Sequence, residues 1–143
     1  MAVTIAGAGA VAVTPTVQGH LDRPSREQAQ RVAHALPAPV GATASTVCHG
    51  DGQVACWETG ASVVDVAQQM SRAVQQEAGT AATSTCDQVS VGTAKPAVLA
   101  DSCFVRVRFG DHGTFVFIDP VSDRDPATGA VSVVGARVSL SAA

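Results

Sequence analysis

Apolar residues recur along this chain at two different periods, and the switches between them mark out its elements. Ala29, Val32, Ala33 and Leu36 stand at i, i+3, i+4 and i+7, which is one face of a helix. Asp22-Arg23-Pro24 forms a boundary before that stripe, and Ser25 with Gln28 three residues on reads as a capping box. Pro37 and Pro39 cannot continue a helix, so the first helix is predicted over 26–36. A second stripe is formed by Val63, Val66, Ala67, Met70, Ala73 and Val74. Ser62 with Asp65 caps it, and Gly79 supplies its stop. Its outer side, Gln68, Gln69, Arg72, Gln75, Gln76 and Glu77, is rich in glutamine rather than basic, which argues against a helix lying on a membrane surface.

The rest of the pattern is strand-like. Thr43 to Cys48 is rich in β-branched residues, His49-Gly50-Asp51-Gly52 is a turn, and Gln53 to Glu58 returns with Val54 and Cys56 on one face. Trp57 then points to the other face, where it packs under a helix or caps the sheet edge. Cys86 to Val91 reads as a strand. In Ser102 to Phe109 the residues Cys103, Val105, Val107 and Phe109 alternate with Ser102, Phe104, Arg106 and Arg108. Gly110-Asp111-His112-Gly113 turns the chain into a fully apolar strand, Thr114 to Ile118. Asp125-Pro126-Ala127-Thr128-Gly129 has the chemistry of a hairpin loop and leads into Val131 to Leu140. There Val134, Ala136, Val138 and Leu140 share a face, and the alternation shifts phase at Gly135, which predicts a bulge.

The element order is therefore α-β-β-α-β-β-β-β. The expected fold class is α+β, with two amphipathic helices packed on one face of a mostly antiparallel sheet. At 143 residues the chain suits a single domain over 20–143, preceded by an uncharged leader over 1–19. Apolar residues make up 46%, enough for a core, but that core is mostly Val and Ala with four Phe, one Trp and no Tyr. Such residues fit a sheet and bury little area each, so covalent reinforcement would suit them.

Charge narrows the class of partner. The formal net charge is −3, and the nine basic residues are scattered, without a stripe to neutralise phosphates or aromatics interleaved for stacking. Nucleic acid is accordingly not expected as a partner. Lys95 is the single lysine beside eight arginines, and with abundant Ala, Val and Gly this is the composition of a GC-rich bacterial genome.

Four cysteines, Cys48, Cys56, Cys86 and Cys103, allow three disulfide pairings. The preferred one joins Cys48 to Cys56 across the turn at 49–53 and Cys86 to Cys103. Cys103 lies on the apolar face of its strand, so its bond is expected to be buried. No C-x-x-C pair exists, and Cys48-His49 with Cys56 alone does not have zinc-finger spacing. Disulfides place the domain outside the cytoplasm. The run Ala2 to Val13 is shorter than the roughly 20 apolar residues of a membrane span, but it has the length of a signal-peptide core with small residues for cleavage. It lacks a basic residue before it, and Val3, Ile5, Val11 and Val13 also fit an extra strand. Any membrane contact is expected through this segment alone.

Few residues suggest chemistry. His49 with Asp51, and His112 with Asp111, are base–orienter candidates that are equally ordinary turn residues. His34 falls on the exposed side of the first helix. Asp119, Asp123 and Asp125 lie together in one predicted loop and offer hard oxygen ligands for calcium, but without EF-hand spacing or a distal Glu. No nucleophile elbow, zinc-protease helix, phosphate loop or dinucleotide fingerprint is present, and no cofactor is expected.

The run Ala35-Leu36-Pro37-Ala38-Pro39-Val40-Gly41-Ala42, followed by Cys48, Cys56-Trp57, a capped helix and two later cysteines, resembles uncharacterised extracytoplasmic domains of actinobacterial proteins. The resemblance covers about 35–105. It implies a secreted or membrane-anchored location and disulfide bonds, and it implies no catalytic residues. The expected function is a non-catalytic envelope or secreted domain that acts through protein contacts, self-association included. The alternative is a small-molecule or metal-ion binding module built on the Asp119–Asp125 loop or on the His49 and His112 turns.

Overall fold

The computed structural model describes residues 23–48, 52–93 and 95–143. The leader at 1–19 and the turn residues His49 and Asp51 lie outside them. Helix α1 covers residues 23–35 and is followed by β1 (Thr43–Ala44), β2 (Gln53–Thr59), α2 (Val63–Ala78), β3 (Thr83–Val91), β4 (Val98–Phe109), β5 (His112–Arg124) and β6 (Val131–Ala142). The six strands form one antiparallel sheet in the order β1-β2-β6-β5-β4-β3. From β2 the chain crosses the sheet through α2 to the far edge, then meanders back until β6 pairs with β2. This is the expected α+β class and element order.

The predicted stripes are the buried ones. Ala29, Val32 and Ala33 of α1, Leu36 just past its end, and Val63, Val66, Ala67, Met70 and Val74 of α2 form one core with the sheet. The sheet contributes Val105, Val107 and Phe109 of β4, Val116 and Ile118 of β5, and Ala136, Val138 and Leu140 of β6. Trp57, opposite Val138, packs against the same core. Ser62 caps α2 by accepting a hydrogen bond from the Asp65 amide at 3.2 Å, and Gly79 ends it in the left-handed region (φ 68°). Thr59, also buried, accepts from the Ala61 amide and donates to the Val40 carbonyl, tying the α1–β1 connection to the β2–α2 corner.

Several local expectations need correction. Helix α1 already includes residues 23 and 24, so Ser25 is helical rather than its cap. Proline is tolerated there because the first turn has no use for its missing amide. The predicted strand from Thr43 to Cys48 is only two residues long. Thr43 pairs with Glu58 and Ala44 with Trp57, so a straight ladder would set Ser45, not Cys48, opposite Cys56. The chain leaves the ladder after the Ser45 amide bonds the Cys56 carbonyl, and the disulfide forms from the departing segment. Val54 does not share the face of Cys56: the register slips between Gln53 and Ala55, and Val54 packs on the core. The predicted bulge at Gly135 is present, since Val121 pairs with Gly135 and Ser122 with Val133. Val134 is the extra residue and is half exposed instead of joining Ala136. The predicted apolar strand Thr114–Ile118 is one part of β5, and its even positions alone are buried.

Both preferred disulfides are formed, Cys48–Cys56 and Cys86–Cys103. The second joins directly opposed residues of β3 and β4, with Cα atoms 4.1 Å apart. Cys103 is buried, as expected, but Cys86 is exposed. β3 is an edge strand, and apart from Val89 and the buried Val91 it faces water. Two disulfides suit an oxidising environment.

Candidate functional site

The alternation that buries Val105, Val116 and Val138 sends every second residue of the same strands to a face that no helix among the described residues covers. The ladder pairs show which residues share it. One row across the sheet runs Cys56, Ser139, Phe117, Phe104 and Thr85. The row on one side runs Glu58, Arg137 and Asp119, continued by Ser102 and Asp87. The row on the other side includes Ser141, Phe115, Arg106 and Thr83.

Three of the four phenylalanines meet here. The Phe104 ring stacks on Phe115 with centroids 6.0 Å apart and lies against Phe117 at 4.9 Å. Each pair has a geometry aromatic rings favour. Phe117 nevertheless remains 44% exposed. Beside it, the segment that carries Val47 and Cys48 crosses over β2 and β6 and is held down by the Cys48–Cys56 bond. Between that segment and the sheet is a recess of about 250 Å³ lined by Val47, Cys48, Asp119, Arg137 and Ser139. Its two charged groups already have partners. Arg137 donates from Nε and Nη2 to Oε1 of Glu58 at 2.9 and 2.7 Å, and Oδ1 of Asp119 accepts from the Ser102 hydroxyl at 2.8 Å.

A second concavity follows from a split in the sheet. The β4–β5 ladder ends at Cys103–Ile118, and beyond it β4 pairs only with β3 while β5 pairs only with β6. Pro120, which has no amide hydrogen to give, stands just past the divergence. The groove between the ribbons measures about 460 Å³ and is lined by Ser62, Val63, Leu99, Asp101, Pro120 and Val133, among others. Leu99 and Val133 are exposed beside it.

The residues singled out for chemistry are not assembled into a site. Asp119 and Asp123 lie in β5, not in a loop with Asp125. Their carboxylates serve three separate partners: Ser102 for Asp119, the Arg124 amide for Asp123, and the Ala127 amide for Asp125. The loop at 125–129 is a hairpin turn in which the Gly129 amide bonds the Asp125 carbonyl at 2.8 Å. Asp111 belongs to the two-residue turn after β4, and His112 opens β5 opposite Phe109. Among the described residues no three His, Cys, Asp or Glu side chains come together as metal ligands would, and no helix is long and apolar enough to cross a membrane. Sequence reading placed Phe104 on the polar face of its strand but missed the aromatic cluster. The cluster follows from the two-residue turn Gly110-Asp111, which sets Phe104 opposite Phe117 with Phe115 on the same face, whereas a four-residue turn over 110–113 would set Phe104 opposite Asp119. Compared with known protein families, curated proteins and solved structures, the chain matches none.

Proposed function

We propose that this chain is a non-catalytic extracytoplasmic domain, secreted or held behind a membrane anchor, that acts through protein contacts made by the helix-free face of its sheet. The observation that carries the reading is the Phe104–Phe115–Phe117 cluster, with Phe117 open to water on a face otherwise polar and charged. Burying the exposed part of Phe117 stabilises an assembly by roughly 1 kcal/mol. Aromatic residues ringed by polar groups are also the usual anatomy of an interface centre and its rim. The two disulfides, the uncharged leader and the resemblance to actinobacterial extracytoplasmic domains support the location.

The test is a photoreactive phenylalanine analogue installed at Phe117, and separately at Arg72 on the outer side of α2, in the cells that make the protein. Protein adducts are expected from position 117 and not from position 72, with all four cysteines oxidised under non-reducing mass spectrometry. Absence of an adduct at 117, or equal adducts at both positions, sinks the contact reading. Four free thiols sink the compartment.

A further inference from the structure

We propose that the partner of this face is a second copy of the chain, packed face to face about a two-fold axis that lies in the sheet plane and runs across the strands. The proposal rests on reading this face as a protein-contact surface, and it adds the identity and orientation of the partner.

Charge is distributed unevenly about the phenylalanine row. On one side of Phe104 and Phe117 stand Asp87, Asp119 and the Glu58–Arg137 pair, a net negative strip. On the other side stands Arg106, with Arg108 two residues further along β4 toward the turn. Any in-plane axis over the cluster brings the phenylalanines of two copies together, and its limiting directions are along the strands and across them. An axis along the strands would set each acidic strip against its own copy and Arg106 toward Arg106, which repels. An axis across the strands exchanges the two sides while keeping each strand over its equivalent. Arg106 on β4 then lies over Ser102 of the other copy, between that copy's Asp87 on β3 and Asp119 on β5. The pairing occurs twice by symmetry. Only this arrangement is complementary, and a two-fold contact is the commonest form of homodimer.

Size and shape agree with it. At about 3.4 Å per residue and about 4.8 Å between strands, the open part over β3 to β5, beside the segment that crosses β6, has a footprint of roughly 550 Å². Against the roughly 800 Å² per partner of a standard interface, that footprint suits a weak, concentration-dependent dimer.

The experiment is sedimentation equilibrium of the oxidised protein across roughly 1–500 µM, the range in which such a contact is measurable. Four variants accompany it: Phe117→Asp, Arg106→Asp, Asp87→Arg and the double reversal Arg106→Asp with Asp87→Arg. A concentration-dependent dimer is expected. Phe117→Asp should weaken it at least roughly tenfold. Each single reversal should weaken it several-fold, and the double reversal should be tighter than either single. Thermal melting and disulfide mass confirm that each variant is folded. A monomer throughout overturns the proposal, as does a dimer indifferent to Phe117→Asp. A double reversal no tighter than the singles overturns the axis. A monomer that still gives an adduct at position 117 to a different protein removes self-pairing alone and leaves the contact reading standing.

Discussion

The hydroxyl of Ser102 on β4 donates to Oδ1 of Asp119 on β5 at 2.8 Å, one step beyond Cys103–Ile118, the last pair of their ladder. It is the tie at the fork where the β3–β4 and β5–β6 ribbons part. Being exposed, the bond contributes little to global stability, under about 1 kcal/mol. Local opening is another matter, because the fork lies at the end of a ladder. Ser102→Ala should leave the urea midpoint nearly unchanged and speed amide exchange at Cys103 and Ile118. Unchanged exchange there would show that the fork is held by the ladder alone.

A second polar tie is buried. The Thr114 side chain is fully enclosed, and its hydroxyl donates to the Ala29 carbonyl of α1 at 2.7 Å, joining two elements 85 residues apart. Thr114→Val keeps the shape and deletes the donor, and Ala29 keeps its place in the helical ladder. The expected loss is about 1 kcal/mol by urea denaturation. Thr114→Ala should lose more, since it also opens a void under α1. A Val variant as stable as the parent would mean that the hydroxyl only avoids a penalty and anchors nothing.

The two disulfides act on the unfolded chain in proportion to the loops they close. Cys86–Cys103 spans a sequence separation of 17 and Cys48–Cys56 one of 8. Loop entropy gives about 3 and about 2.5 kcal/mol respectively. Replacing both cysteines of a pair with serine should therefore cost more at 86/103, since each pair buries one sulfur, Cys103 or Cys56, and a hydroxyl there is penalised alike. Equilibrium denaturation of the two double variants checks the order, and a larger loss at 48/56 would contradict it.

The helices and the core strands were legible because their signals are local. The α2 stripe with Ser62 and Gly79, and the alternation through Val105 and Val107, each state their own period and ends. The disulfide pairing was legible for a similar reason, but its geometry was not. That Cys48 must leave the ladder to reach Cys56 depends on Thr43 pairing with Glu58, a register no spacing rule gives. The aromatic face was hidden the same way. Phe115 and Phe117 sit in an unbroken apolar run, and only their pairing with Arg106 and Phe104 puts them on the side away from the helices. The aspartates misled for the opposite reason: their closeness in sequence suggested a loop, whereas β5 continues through Pro120 to Arg124 and spreads them along a strand.

Gly135 shows a backbone position whose importance is steric rather than conformational. It carries no positive φ, so an ordinary residue would adopt its backbone. Space is what it lacks: a Cβ placed there would collide with the Thr59 carbonyl oxygen and lie 3.1 Å from the Gly60 Cα. The bulge at Val134 presses β6 against the β2–α2 corner, where Thr59 pairs with Ala136. Both sides of the collision are backbone, so neither can swing away as a side chain would. Gly135→Ala should therefore cost about 1–3 kcal/mol, the range for forced overpacking. Gly60→Ala is the control, because a Cβ there meets nothing within 4 Å and its φ is not positive. It should stay within about 0.5 kcal/mol of the parent. Urea denaturation of the pair separates the two sites. Equal stability of both variants would mean that the corner yields freely, and that the bulge, not the glycine, sets the approach of β6 to β2.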